Sequence, residues 1–352
     1  MAAPFARLLT YTRQCRAWSR QHGPGGVEGI MTDTAATSDN VRGIYTILVG
    51  MLVITLQDSA VKLLSPDYAL HQIMLSRAVL ALVITFGILK YEGGFHLLRT
   101  KHLKWHLARG GLIVTANMTF FLAVAAMPLG EAVAIFFVAP LFITAMSVPF
   151  LGEKVGPRRW AAVMVGLAGV VVVMRPGAGI FDWVVVLPVI AAFTYALMQM
   201  LTRKLGATDK ASTMAFYIQM TFIAVSLCIG LGLGDGRYAG TGNPSLDFLF
   251  REWRMPQTED IPLFLWCGVS SGFGGYLLSQ AYRLGEAAIV APFEYIALPM
   301  AVLWGFLVWG DLPDQTAVIG MALILASGLY ILYRESVRGR PLVQERPMPR
   351  NR

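Results

Sequence analysis

Residues 129–153 read LGEAVAIFFVAPLFITAMSVPFLGE, and residues 284–311 read LGEAAIVAPFEYIALPMAVLWGFLVWGD. Each stretch opens on Leu-Gly-Glu-Ala, runs through a long apolar segment broken by proline, and closes on glycine followed by an acid. A run of ~20 mostly apolar residues is long enough to cross the hydrocarbon core of a bilayer as a helix. Glu131 and Glu286 fall at the helix starts, where the positive end of the helix dipole favours an acid. The opening motif recurs 155 residues on (Gly130 to Gly285) and the closing glycine 158 residues on (Gly152 to Gly310). The two stretches therefore read as one repeated membrane helix, with the length difference lying near Pro140, Pro292 and Pro299.

Working outward, apolar runs of similar length fill the chain from Arg42 to about residue 334. The expected spans are 43–64, 68–89, 107–127, 131–151, 158–175, 182–202, 211–233, 261–282, 286–309 and 314–333. Short polar turns such as Ser65-Pro66-Asp67 and Pro128-Leu129-Gly130 separate them. The longest connection, 234–260, reads as a surface loop with room for one short helix. Unpaired backbone polar groups are too costly in lipid for anything but helices or closed barrels, and these runs are too long and too continuously apolar for barrel strands. The composition agrees, with 56% hydrophobic and 14% charged residues, against about 25% charged in soluble domains.

Basic residues fix the orientation, because loops rich in Lys and Arg stay in the cytoplasm. Lys90, Arg99, Lys101 and Lys104 lie between spans 2 and 3, Lys154, Arg158 and Arg159 between 4 and 5, and Arg203, Lys204 and Lys210 between 6 and 7. The 1–2, 3–4 and 9–10 connections carry none. Both termini are thus expected in the cytoplasm, which requires an even number of crossings. Five spans per repeat is odd, so the second half enters the bilayer upside down, an arrangement typical of transporters. The fold expected is all-α integral membrane, with ten transmembrane helices as two inverted five-helix repeats. The units are a basic, disordered extension (1–41), a first repeat (42–176), a second repeat (177–334) and a basic tail (335–352). The extension resembles a transit peptide in composition, or reflects a start codon placed too early, with Met31 as the true first residue. Cys15, Cys228 and Cys267 form no paired motif.

The segment 128–176, from PLGEAVAIFFVAP to VVVMRP, and the segment 281–335, from AYRLGEAAIVAPFEY to ILYRE, resemble the EamA family of the drug/metabolite transporter superfamily. The resemblance extends over about residues 43–334. It implies a central substrate cavity between two inverted halves, no covalent chemistry and no cofactor. The wording APFEY…LP is similar to a branch that includes S-adenosylmethionine and riboflavin uptake proteins. Other relatives carry amino acids or drugs, so cargo and direction stay open. The chain departs from the family in having Gly310-Asp311 where Gly-Glu is common, and in its basic start.

Intramembrane charges are costly and mark function. Arg77, Glu294 and Asp58 are the expected lining of a cavity for a small polar or zwitterionic metabolite, with Asn117, Tyr195, Gln199, Gln219, Tyr276, Gln280 and Tyr295 as further candidates. Asp58 and Lys62, four apart, share a helix face and are expected to pair. The alternative is that the charges form structural ion pairs, and each amide or tyrosine taken singly serves equally well as a helix–helix hydrogen bond. The partners expected are a small-molecule substrate, membrane lipid and coupling protons, with no nucleic acid, and the location is the cell inner membrane. Gly268-Val269-Ser270-Ser271-Gly272 matches a nucleophile-elbow pattern, but that motif needs a strand-to-helix turn and here lies inside a span. His102 and His106 lack an obvious third metal ligand. A lipid-modifying enzyme would need a metal triad or paired acidic motifs, and a purely structural membrane protein would not need the mid-depth charges.

Overall fold

The computed structural model describes residues 24–151, 156–174, 183–205, 211–284 and 290–337. The helices are α1 (Pro24–Leu64), α2 (Leu70–Glu92), α3 (Leu103–Ala126), α4 (Leu129–Phe136), α5 (Ala139–Leu151), α6 (Pro157–Met174), α7 (Val186–Leu205), α8 (Ala211–Leu233), α9 (Pro244–Phe250), α10 (Ile261–Leu284), α11 (Ala297–Trp309) and α12 (Gln315–Val337). A 3₁₀ turn, Ala291–Ile296, leads into α11. Ten segments are long and apolar enough to cross a membrane, and the described residues contain no strand. The fourth span is α4 followed by α5, and the ninth is the 3₁₀ turn followed by α11.

The ends follow local chemistry. The Ser65 hydroxyl donates back to the Lys62 carbonyl (2.7 Å), and Pro66 follows, so α1 stops there. Gly310 takes the left-handed conformation (φ 73°) that ends α11. Asp314 then caps α12 by accepting from the Ala317 amide (2.9 Å). Asn243 caps α9 by accepting from the Ser245 and Leu246 amides, with Pro244 at the first helical position.

The fourth, ninth and first spans differ from expectation, the ninth because a 3₁₀ turn over Ala291–Ile296 precedes its helix where one helix over 286–309 was expected. Residues 131–151 were expected as one helix, yet α4 ends at Phe136 and α5 begins at Ala139. The reason is Pro140, which has no N–H to give the Phe136 carbonyl one turn back. Helix α1 starts at Pro24, well before the expected residue 43, so residues 24–41, expected as disordered extension, are helical. Pro24 suits a first helical position and no proline follows before Pro66. The basic residues Arg7, Arg13, Arg16 and Arg20, and the tail beyond Val337, lie outside the described residues.

The helices pack in a pattern that repeats across the chain. Numbering the spans in order, the main pairs are 1 with 8 and 3 with 6, 2 with 8 and 3 with 7, 1 with 9 and 4 with 6, and 2 with 7, 4 with 9 and 5 with 10. Replacing every span by the one five places away returns the same set. Helices α5 and α11 are both 13 residues long and start 158 residues apart, at Ala139 and Ala297. Close approaches rest on glycine. A Cβ on Gly169 of α6 would sit 2.9 Å from the Gly320 carbonyl oxygen of α12, and one on Gly320 would sit 2.8 Å from that of Gly169. Lipid gives no hydrophobic drive between helices, so such small-residue contacts are what bring them together. The Gly268 to Gly272 stretch belongs to the same class. It is helical, and Cβ atoms at its glycines would strike Leu80 and Ile84 of α2. The Ser270 hydroxyl is spent on the Trp266 carbonyl (2.6 Å) and the Gln57 amide oxygen (3.1 Å).

Segment 234–257 covers the ends of α2 and α3. The Ser245 hydroxyl donates to the Leu122 carbonyl (2.6 Å), Arg251 to the Ser65 carbonyl (2.5 Å), and the Gln72 amide to the Arg254 carbonyl (2.6 Å). The Thr241 hydroxyl, with the Thr241 and Gly240 amides, holds the Asp247 carboxyl below the usual carboxylate range.

Candidate functional site

Asp58 lies six residues before the end of α1, Arg77 seven residues into α2 and Asn117 nine residues before the end of α3. The three helix ends share one face, so at the helical rise these side chains start ~9–14 Å below it. Arg77 is 4% exposed and donates from Nη2 to Asn117 Oδ1 (3.0 Å). Its guanidinium lies over the rings of Phe121 (5.6 Å) and Phe222 (5.2 Å), an arrangement that shields a cation while feeding it π density. Asp58 sits within electrostatic range of Arg77, and so does Cys267 of α10. No ion pair or hydrogen bond to Asp58 occurs among the described residues, and the group keeps 9% exposure. A buried carboxylate without a hydrogen-bond donor is costly, which leaves Asp58 an open acceptor with Arg77 as its charge partner.

Lys62 does not pair with Asp58 as expected. Its amine donates to the Met127 carbonyl (2.9 Å), lies 3.6 Å from Asp311 and sits over the Trp309 ring (4.8 Å). A long side chain one turn nearer the helix end reaches toward the membrane face, while Asp58 stays with Arg77.

The second group sits at the broken helices. Tyr195 of α7 accepts from the Gln199 amide (3.0 Å) and packs on Phe136 at the end of α4 (5.4 Å between centroids). Phe137 and Tyr295, each two residues before its helix resumes, stack on one another (4.8 Å, 26°). The Tyr295 hydroxyl is buried without a hydrogen-bond partner among the described residues. Half-buried Glu294 is within electrostatic range of the Tyr195 and Tyr295 hydroxyls. A run of ring contacts joins the two groups. Arg77 covers Phe121, Phe121 meets Phe120 (5.4 Å), Phe120 meets Phe136 (5.3 Å), and Phe136 meets Tyr195.

The structure thus gathers Asp58, Arg77 and Asn117 at one end of an aromatic band, and Tyr195, Gln199, Glu294 and Tyr295 at the other. Tyr276 and Gln280 stand apart. They bond to each other (2.7 Å), and Tyr276 lies on the exposed stripe of α10 with Val269 and Phe273. Gln219 is half-buried on α8. Phe120, Phe121, Phe136, Phe137 and Phe222 were not anticipated. In an apolar span a phenylalanine carries no mark distinguishing the bundle interior from lipid contact, although the pair Phe136-Phe137 just before Pro140 was a local hint. His106 is stacked on Tyr217 (4.7 Å, 24°) rather than turned toward an exposed His102.

A multi-pass helical bundle with broken fourth and ninth spans and a charged, aromatic interior has the design of a membrane transporter. Residues 41–175 match the EamA-like transporter family. Full-length relatives extend the match. A riboflavin transporter of Vibrio cholerae is 29% identical over 304 residues, covering 85% of this chain and 96% of that protein. A riboflavin transporter of Rhizobium johnstonii is 30% identical over 248 residues, covering 70% of this chain and 76% of that protein. An S-adenosylmethionine uptake transporter of Rickettsia prowazekii is 23% identical, covering 84% and 94%. One crystal structure superposes with a TM-score of 0.56 over 86% of this chain and 99% of its own, at 18% identity, which supports the fold. The chain belongs to the EamA-like transporter family, within the drug/metabolite transporter superfamily, and is a transporter of small metabolites.

Proposed function

We propose that the protein carries a planar heteroaromatic metabolite of the riboflavin class through a cavity lined by Asp58, Arg77, Asn117, Tyr195, Gln199, Glu294 and Tyr295. The observation that carries this is the aromatic band from Phe121 to Tyr195, with a hydrogen-bonding cation at one end and tyrosine and amide groups at the other. Rings stack on aromatic side chains in offset or edge-on geometry, while the unpartnered Asp58 carboxylate and the Arg77 guanidinium suit ring N–H and C=O groups. Riboflavin transporters among the relatives support the same cargo. Asp58 is the acid best placed to take up a coupling proton as cargo enters. The reading needs no covalent step, and therefore no catalytic residue, metal or cofactor.

Two five-helix halves of opposite orientation suit this mechanism. Support comes from the packing set that survives exchange of spans five apart, from the equal lengths of α5 and α11, and from Phe137 and Tyr295, at equivalent positions, meeting face to face. The basic loops favour cytoplasmic termini and residence in the inner membrane. The test is uptake by purified protein in liposomes, with labelled riboflavin, S-adenosylmethionine and an amino acid panel. Saturable riboflavin uptake or counterflow is expected. Uptake confined to amino acids would refute the aromatic-cargo reading.

A further inference from the structure

The end of α1 is tied to two other helix ends by one amine. Lys62 Nζ donates to the carbonyl of Met127, in the turn between α3 and α4, and lies 3.6 Å from Asp311, in the turn between α11 and α12. The amine also lies over the Trp309 ring, 4.8 Å from its centroid, and Glu131 at the start of α4 is within electrostatic range. The Lys62 side chain is 11% exposed and that of Asp311 is 36% exposed, so the acid faces out and the amine in. Directly below, α4 crosses α11 with almost no gap, since a Cβ on Gly130 would lie 2.7 Å from Val302 Cγ2. Spans 4 and 9 are the two broken ones, and both are held at this face.

We propose that Lys62 is the latch of this mouth. Its amine holds the ends of the two broken spans together while the mouth is shut, and it releases Asp311 and the Met127 carbonyl when the mouth opens. The idea rests on the transporter reading above, and the proposed orientation puts this mouth outside. The energetics suit a latch. A fully exposed ion pair contributes too little to hold two helices, and a fully buried one is too costly to break. Here the amine is shielded when shut and meets water as soon as the helix ends separate, so release is cheap enough to recur in each cycle.

Cys267 reports on the opening. It is 0% exposed and within electrostatic range of Arg77 and Asp58, so it lies at the depth of the site. In full-length protein carrying Cys15→Ser and Cys228→Ser, reconstituted with known sidedness, a membrane-impermeant maleimide is added on the side of the latch. Lys62→Met should speed Cys267 labelling about tenfold, close to the loss of a charged hydrogen bond, and Asp311→Asn, which removes only the 3.6 Å ion pair, about threefold. Lys62→Arg, which keeps charge and donors, should stay near the unmutated rate. Unchanged labelling in both neutral variants overturns the latch, and so does equal acceleration from the opposite side, which signals general loosening. Riboflavin counterflow by the unmutated protein is measured in the same vesicles. Its absence counts against the proposed cargo, while the labelling rates still decide the latch.

Discussion

Replacing Arg77 by lysine keeps a positive charge at the site and removes its geometry. The guanidinium donates to Asn117 Oδ1 at 3.0 Å while lying 5.6 Å from the Phe121 ring and 5.2 Å from the Phe222 ring. Lysine is a compact point charge without the planar fork, so it cannot bond Asn117 and stack between two rings at once. A hydrogen bond to a charged group contributes about 1.5–3 kcal/mol, and a partly desolvated cation–π contact about 1–2 kcal/mol. Lysine recovers part of the stacking, which leaves a net loss of about 2 kcal/mol in the order of the site. If that order is what cargo meets, the ratio kcat/KM for riboflavin uptake should fall about 30-fold. The assay is initial-rate uptake in liposomes at matched protein insertion, with Arg77→Met as the neutral comparison, expected to be worse still. Uptake by Arg77→Lys within twofold of the unmutated rate, in correctly inserted protein, would show that Arg77 is a structural cation.

Three further outcomes are expected. Gly320→Val puts side-chain atoms where Val173 Cγ2 already lies 2.5 Å from an added Cβ, and such overpacking should destabilise the bundle by about 2 kcal/mol, read as a lower midpoint of thermal unfolding in detergent; an unchanged midpoint would mean that the seam can part without cost. Asp58→Asn should abolish uptake driven by a proton gradient while riboflavin counterflow persists at weaker affinity, because asparagine keeps an acceptor for the cargo but takes no proton; gradient-driven accumulation at the unmutated level would remove Asp58 from coupling. Asn243→Ala deletes the cap of α9, a change of about 1 kcal/mol, so amide exchange over residues 245–250 should quicken about fivefold with the rest of the chain unaffected; protection equal to the unmutated protein would assign the stability of α9 to Phe248 and Ser245 instead.

Much of the bundle was legible because lipid imposes one rule on every span. Ten apolar runs and their turns were plain, and the span at 211–233 coincides with α8. The break before Pro140 was less plain, since a proline can end, kink or merely bend a helix depending on neighbours. The site divided along the same line. Arg77 could be placed by depth and Asn117 by its chemistry, and the structure brings them into contact. The partner of Lys62 could not be read from a spacing of four residues, because Asp311 is far off in sequence and arrives only through the packing of span 9 against span 1. Tyr276 and Gln280 have the chemistry of a lining group, but nothing in a single helix says which stripe turns outward.

The interruption between Phe136 and Ala139 has a consequence for where the bilayer is breached. Pro140 leaves the Phe136 carbonyl without its helical donor, and Pro299 withholds the same donor from the Tyr295 carbonyl, which keeps only the strained Ala297 amide two residues on. Peptide groups in that condition cannot persist against hydrocarbon and must be solvated or guest-filled. Solvent isotope should therefore enter the middle of the protein first at these two kinks, long before it reaches the glycine seam between α6 and α12.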